Sequence, residues 1–217
     1  MQSGQHIVSL SLGTVAEPSG LVVVDPRTKL EEPNDKDGRR DWENHFNVVW
    51  IERFPAGRPI PAVVARVSEL VSDKRLAKKC STLLDITSTG AAPLRVFQNR
   101  SLYPGPIDLT NTGAAEYTNG MHRVPLRDVI GAAQVVLQTA RLKVASALEL
   151  AETLVSDLQA FDPKPIARNP DLRGGQNADL VLALAIALWW GDKLTWNDDV
   201  GRRCYEPKGP KCSWMAY

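Results

Sequence analysis

Alternating apolar and polar positions predict a strand-rich beginning of the chain. Residues 6–13 (HIVSLSLG), 21–25 (LVVVD) and 45–55 (HFNVVWIERFP) are short apolar runs bounded by turn residues, which is typical of strands. The first two runs flank the turn TVAEPSG and are expected to form an antiparallel hairpin. The stretch 27–44 between the second and third runs is polar and rich in turn residues, and it is predicted to be a loop.

After residue 55 the pattern changes to alternating helices and strands. Residues 60–73 have helical spacing, and the stretch 81–90 (STLLDITSTG) is predicted to be a short buried strand that runs into a turn. A helix near 91–99 and a strand near 106–111 follow. This order favours parallel pairing, so the sequence predicts an α/β domain with a mixed sheet flanked by helices. The apolar face of the first helix is predicted to consist of Val63, Val64, Val67, Leu70 and Val71.

The remainder of the chain is predicted to be mostly helical. Residues 126–142 and 147–161 are amphipathic, and a connector rich in proline and glycine follows at 162–175. The stretch 176–190 (QNADLVLALAIALWW) is almost wholly apolar after its first turn, which predicts a helix buried on all sides. The domain is therefore expected to span residues 1–190, with a polar C-terminal tail at 191–217.

Composition limits the expected partners and cellular compartment of the protein. The 26 basic and 25 acidic residues give a net charge of +1, so bulk charge offers no argument for a nucleic-acid partner. Three cysteines favour a reducing compartment, and Cys204 and Cys212 cannot by themselves complete a four-ligand zinc site. The N-terminus lacks the pattern of a signal peptide, and the apolar run 180–190 is too short to span a bilayer. A cytoplasmic protein without a membrane partner is expected.

Three acids are candidates for a metal site. Asp85 ends the buried strand, Asp179 opens the apolar helix, and Glu17 lies in the first hairpin turn. Hydrolysis of a phosphodiester by two divalent ions needs carboxylates that converge on one point. Each acid also has a simpler interpretation, because Asp85 and Asp179 fit turn or helix-capping positions and Glu17 fits a solvated turn.

Five stretches occur in a recognisable order along the chain. They are LSLGTVAEPSGLVVVD, VVWIERFPAGRPIPAVVARVSEL, LLDITSTG, the paired-helix stretch 124–161 and QNADLVLALAIALW. In this order, over about residues 6–190, they resemble the C-terminal nuclease domain of phage terminase large subunits, which has an RNase H-like fold. No single motif carries the likeness.

The resemblance implies a metal-dependent endonuclease that hydrolyses double-stranded DNA during viral genome packaging. Asp85 and Asp179 would hold two Mg²⁺ or Mn²⁺ ions with Glu17 assisting, and water would be the nucleophile. The carboxylates of Asp85 and Asp179 are then expected to lie several ångströms apart. The sequence Gly-x-x-x-x-Gly-Lys-Ser/Thr of an ATPase motor does not occur. The implied partners are therefore DNA and a separate packaging ATPase, small terminase subunit or portal, in the host cytoplasm of a phage or prophage.

Departures from the family pattern concentrate at the expected site. Ser11 occupies the position of the first-strand Asp, and Asn177 and Ala178 occupy those of the His and the first Asp in the closing motif. Ser88 takes the place of a frequent Gly. Since a hydroxyl cannot supply the charge of a carboxylate, weakened metal binding and catalysis are expected. The alternatives are a catalytically inactive nuclease-fold module that binds DNA or a packaging partner, and a remnant prophage product.

Several cationic side chains are candidates for DNA contact. Two lie near the second predicted helix and three lie at the start of another. Their alternative interpretation is an ordinary solvated surface, and phosphate contacts would make binding steeply salt-dependent. The five residues are Arg95, Arg100, His122, Arg123 and Arg127.

Overall fold

An eight-stranded mixed sheet forms the centre of the part of the chain that the computed structural model describes, namely residues 5–30, 42–74, 76, 80–162 and 178–203. Five helices flank the sheet within these ranges. The strands are β1 (His6–Ser11), β2 (Ser19–Leu30), β3 (Trp42–Phe54), β4 (Cys80–Asp85), β5 (Gly105–Thr110), β6 (Glu116–Thr118), β7 (Met121–Pro125) and β8 (Leu142–Val144). The helices are α1 (Ile60–Ser72), α2 (Ala92–Gln98), α3 (Leu126–Gln138), α4 (Ala151–Ala160) and α5 (Ala178–Arg203).

The strand order in the sheet is β6-β7-β5-β4-β1-β2-β3-β8. β1 and β2 pair antiparallel, as the hairpin pattern predicted, and β3 pairs antiparallel with β2. β4 pairs parallel with both β1 and β5, which places Asp85 directly beside Ser11. The predicted mixed α/β sheet is confirmed, and the ends of β1 and β4 come together at one edge.

Two apolar clusters, one on each face, hold the helices against the sheet. On one face α1 buries Val63, Val64, Val67 and Leu70 as predicted, while Val71 is partly buried at the margin. On the other face lies α5, whose residues 178–189 are all buried. The predicted burial of this apolar helix is confirmed, and the buried helix fixes the position of Asp179 against the sheet.

The bounds predicted for the loop at 27–44 were wrong at both ends. β2 continues to Leu30 and β3 begins at Trp42, with residues paired as far as the Leu30–Trp42 position, while 31–41 lie outside the described residues. Strand pairing satisfies the hydrogen bonds of the backbone and does not require apolar side chains. These strand ends are polar, so they lack the alternation of apolar residues on which the prediction relied.

Three strands were missed by the apolar pattern. β6 is exposed throughout, and β6 and β7 form a hairpin through Asn119 and Gly120, which have φ values of 54° and 76°. An Asn-Gly pair is a strong hairpin signal because both positions favour positive φ. The third, β8, has only three residues, and it pairs with β3, which is far from it in the sequence.

Helix boundaries also differ from the prediction. α3 ends at Gln138 and α4 spans Ala151–Ala160, each shorter than expected. The polar tail predicted from residue 191 is helical as far as Arg203, because α5 continues without interruption. Most of the connector, Asn177, Cys204 and Cys212 lie outside the described residues. Within the described ranges, none of the helices combines the length and apolar character needed to cross a bilayer.

Candidate functional site

Asp85 organises the turn that follows β4. Its side chain is buried, and its Oδ1 accepts a hydrogen bond of 3.0 Å from the backbone N–H of Thr87. The Thr87 hydroxyl oxygen in turn accepts a hydrogen bond of 2.9 Å from the backbone N–H of Leu109 in β5. Gly90 closes the turn at φ 64°, a conformation that favours glycine. The Asp-x-Thr-x-x-Gly stretch therefore joins β4 to β5 through specific polar contacts.

Ser11 is the immediate neighbour of Asp85 on β1. It is fully buried, and its hydroxyl donates a hydrogen bond of 3.0 Å to Oδ2 of Asp85. The parallel register of β1 and β4 places these two positions side by side. A neutral hydroxyl thus contacts Asp85 where the resemblance leads one to expect a second carboxylate.

Four residues form a row across the sheet at this level. In register, Asp85 lies opposite Ser11, Ser11 opposite Gly20, and Gly20 opposite Arg53. Directly opposed residues point to the same face of a sheet, here the face covered by α5. With about 4.8 Å between neighbouring strands, Asp85 and Arg53 stand about 14 Å apart at their Cα atoms. We call this set the polar row.

Asp179 lies above the polar row and is directed to its Arg53 end. The Asp179 Oδ2 accepts a hydrogen bond of 2.9 Å from Nε of Arg53, and Oδ1 accepts one of 3.0 Å from Nη2. The Asp179 side chain is 2% exposed. Its carboxylate therefore forms a buried bidentate ion pair with a guanidinium, and its position in the first turn of α5 also favours a negative charge.

A second acid, Asp157 of α4, contacts the same guanidinium. Its Oδ2 accepts a hydrogen bond from Nη2 of Arg53, and the Asp157 side chain is 6% exposed. Burial of the guanidinium acts to lower the pKa of Arg53, but its hydrogen bonds to Asp179 and Asp157, together with the attraction of their charges, outweigh this effect and raise it. Arg53 is thereby held as a cation between two buried carboxylates.

Sequence reasoning overlooked both Arg53 and Asp157. Each left a signal, because Arg53 shares a strand face with the buried Ile51, and Asp157 follows Ala151 and Leu154 at intervals of three on the buried face of α4. An isolated charge on an apolar face usually has a partner of opposite charge. Arg53 and Asp157 were therefore candidates for buried ion pairs, and the structure identifies the carboxylates that Arg53 contacts.

Glu17 is in the β1–β2 turn. It is half-buried, and its Oε2 accepts a hydrogen bond of 3.4 Å from the hydroxyl of Thr14. Among the described residues, which include Glu17, Asp85 and Asp179, no three His, Cys, Asp or Glu side chains are grouped so that they could hold a metal ion. The arrangement does not fit a two-metal centre, and the metal and catalytic roles of the three acids stay predictions.

The arginines proposed for DNA contact are exposed, but they are not alike. Arg95 is in α2 and Arg100 follows it. Arg123 forms ion pairs of 3.4 Å with Asp108 and 3.7 Å with Glu116. Arg127 donates a hydrogen bond of 2.6 Å to the carbonyl of Gly113. Their role in binding DNA stays a prediction.

His122 is packed among aromatic rings. Its ring centroid lies 4.6 Å from that of Tyr117, 5.0 Å from Trp190 and 6.4 Å from Trp189. Burial lowers the pKa of His122, and the charge of Lys193 lowers it further. A neutral imidazole is a weaker phosphate partner than an arginine, so this environment favours a packing role for His122.

Comparisons with known proteins agree with the fold. No family model and no curated protein matches this chain. Among solved structures, the large terminase nuclease from thermophilic phage G20c is 15% identical, with a TM-score of 0.50 over 84% of this chain and 80% of that one. The Mn-soaked terminase nuclease domain of human cytomegalovirus is 12% identical, with a TM-score of 0.53 over 88% and 86%. The resemblance found in the sequence is confirmed at the level of fold: this chain is built like terminase nuclease domains.

Proposed function

We propose that this chain is a nuclease-fold module of a viral genome-packaging machine that binds double-stranded DNA and whose own cleavage activity is weak or lost. The likeness to two terminase nuclease domains over most of the chain supports the packaging context. A separate ATPase would supply the motor, with a small terminase subunit or portal as further partners.

The main observation that supports weak or lost cleavage activity is the hydrogen bond between Ser11 and Asp85. Metal-assisted hydrolysis of a phosphodiester depends on concentrated negative charge to hold hard cations. A hydroxyl at position 11 supplies a dipole without a charge. Another carboxylate of the predicted set, that of Asp179, is paired with Arg53.

The exposed arginines support the proposal of DNA binding. Two of them, Arg95 and Arg100, are exposed and can be substituted together to test it. We expect the double variant Arg95→Gln/Arg100→Gln to weaken binding of a short duplex several-fold and to reduce the salt slope by about one for each phosphate that the variant no longer neutralises. Fluorescence anisotropy at several salt concentrations measures both quantities. The exposed Lys143→Gln is the control, and equal losses of affinity in the two proteins would contradict the assignment.

A nicking assay on supercoiled plasmid in Mn²⁺ tests the chemistry. We expect little cleavage by the wild type and a higher rate for Ser11→Asp, because the substitution restores a carboxylate beside Asp85. Asp85→Asn should abolish whatever cleavage is seen, EDTA should do the same, and the exposed Glu149→Gln should match the wild type. Cleavage by the wild type that survives Asp85→Asn would place the chemistry elsewhere.

A metal-dependent DNA endonuclease is the second candidate. The buried Asp85 in its family-like turn and the Mn-soaked neighbouring structure favour it. Mg²⁺ or Mn²⁺ bound near Asp85 would supply Lewis-acid activation of water and of the phosphate. Robust wild-type cleavage that EDTA and Asp85→Asn both abolish would establish this function in place of the first.

A further inference from the structure

We infer that Asp179 anchors helix α5 to the sheet as one member of a buried charge triad with Arg53 and Asp157, and that it is not a metal ligand. The inference concerns the architecture of the polar row and stands whether or not the chain binds DNA. It explains why this acid is present although its neighbours Asn177 and Ala178 depart from the family pattern.

The side-chain geometry is that of a complete ion pair. Both oxygens of Asp179 accept hydrogen bonds from one guanidinium, at 2.9 and 3.0 Å, in the fork arrangement typical of strong arginine–carboxylate pairs. The side chains of Asp179 and Arg53 are only 2% and 21% exposed. Because both charges are largely removed from water, each depends on the other for compensation.

The triad joins three elements of the fold at one point. Arg53 comes from the end of β3, Asp157 from the buried face of α4, and Asp179 from the first turn of α5. With one guanidinium between two carboxylates, loss of the cation would leave two buried negative charges side by side. The arrangement therefore couples the packing of α4 and α5 to β3.

The backbone of Asp179 is fixed independently of its side chain. A Cβ atom at Gly20 of β2 would lie 2.5 Å from the carbonyl carbon of Asp179 and 2.7 Å from the nitrogen of Leu180. The start of α5 thus rests directly on β2, and the carboxylate extends from there to Arg53. This direction takes it away from Asp85, which is on the other side of Ser11 in the polar row.

Electrostatics opposes a metal at this carboxylate. A divalent ion bound to Asp179 would come within a few ångströms of the Arg53 guanidinium, and like charges at that distance repel strongly in a buried site. The ion would also have to replace two existing hydrogen bonds. The guanidinium already provides the positive charge that the two acids need.

Thermal unfolding of the full chain, measured in EDTA and in Mn²⁺, tests the inference. We expect Asp179→Asn to lower the Tm by about 5–10 °C in EDTA and by the same amount in Mn²⁺, since breaking a buried pair is strongly destabilising. Asp157→Asn should act in the same direction, and the exposed Glu149→Gln should leave the Tm unchanged. A Tm of the wild type that rises in Mn²⁺, with the rise lost in Asp179→Asn, would overturn the inference.

A second variant keeps the test decisive if the single substitutions fold poorly. The triple variant Arg53→Met/Asp157→Asn/Asp179→Asn removes all three charges together, and we expect a higher Tm than for Arg53→Met alone because no buried charge is left uncompensated. A triple variant less stable than Arg53→Met would contradict the triad. Since this readout is thermal stability, it is independent of DNA affinity and cleavage, which test the proposed function.

Discussion

A buried acid lies at each end of the polar row, and the two acids are held by different kinds of contact. At one end Asp85 accepts hydrogen bonds from the Ser11 hydroxyl and the Thr87 backbone. At the other end Asp179 is held by the Arg53 guanidinium in a charge triad. Gly20 and the start of α5 lie between the ends.

The difference shows that two acids in family-like motifs can be kept for different physical reasons. At the Asp85 end the contacts described above are hydrogen bonds from a hydroxyl and a backbone N–H, and replacing the hydroxyl by a carboxylate would add a charge and remove one hydrogen-bond donor. At the Arg53 end the contacts are ionic and connect separate helices to the sheet. We therefore propose to test chemistry at the first end and stability at the second.

The largest expected effect is the loss of Arg53. Arg53→Met leaves the carboxylates of Asp157 and Asp179 without their cation, and we expect the free energy of unfolding to fall by about 3 kcal/mol. Ser11→Ala, which removes a neutral partner of Asp85, should lower it by about 1 kcal/mol. Urea denaturation of both variants measures the contrast. Equal losses would mean that the two ends contribute alike to stability.

Gly20→Ala should come next, because it forces the start of α5 away from β2. The added Cβ meets backbone atoms of Asp179 and Leu180, which cannot rotate aside as a flexible side chain can. We expect a loss of about 1–3 kcal/mol in the free energy of unfolding, the usual range for overpacking. Gly131→Ala, where the new Cβ has open space in α3, is the matched control and should be neutral or stabilising. A neutral Gly20→Ala would show that α5 can lift from the sheet without cost.

A smaller effect is expected at the turn that follows Asp85. Thr87→Val removes the oxygen that accepts the N–H of Leu109, so a donor in β5 loses its partner, and the expected loss in unfolding free energy is about 1 kcal/mol. Thr110→Val, which removes a hydroxyl bonded in an exposed loop, should cost less. If the Thr110 variant is the less stable of the two, the turn contributes less to the Asp85 end than its geometry indicates.

Much of the fold was predictable because local patterns of apolar and polar residues indicate its strands and helices. The alternation in β1, the helical spacing in α1 and the apolar length of α5 each follow from burial on one face or on all sides. The sheet order near the site followed from the succession of strands and helices. The hairpin of β6 and β7 left only its Asn119–Gly120 turn as a signal, since β6 buries no side chain.

The candidate site was only partly predictable, since its key contacts join residues far apart in sequence. The adjacency of Ser11 and Asp85 followed from parallel pairing of the strands that carry them. The pairing of Asp179 with Arg53 spans 126 positions. An acid in the first turn of a helix is compatible with a cap, a ligand or an ion pair, and only the opposing surface decides among them.

The smallest expected effect concerns pH and His122, two strands from Asp85 at the same level of the sheet. Burial lowers the pKa of His122 below its ordinary value, so the unfolded chain takes up a proton more readily than the folded one. Stability should therefore be retained above about pH 6.5 and decline as the pH falls below it. We expect Tm to fall less between pH 7 and pH 5 in His122→Gln than in the wild type. Tyr117→Phe, which keeps the ring contact with His122, should retain the wild-type dependence. If His122→Gln keeps it as well, acid sensitivity arises from other side chains, and the acids at the two ends of the polar row, Asp85 and Asp179, become the next to be tested.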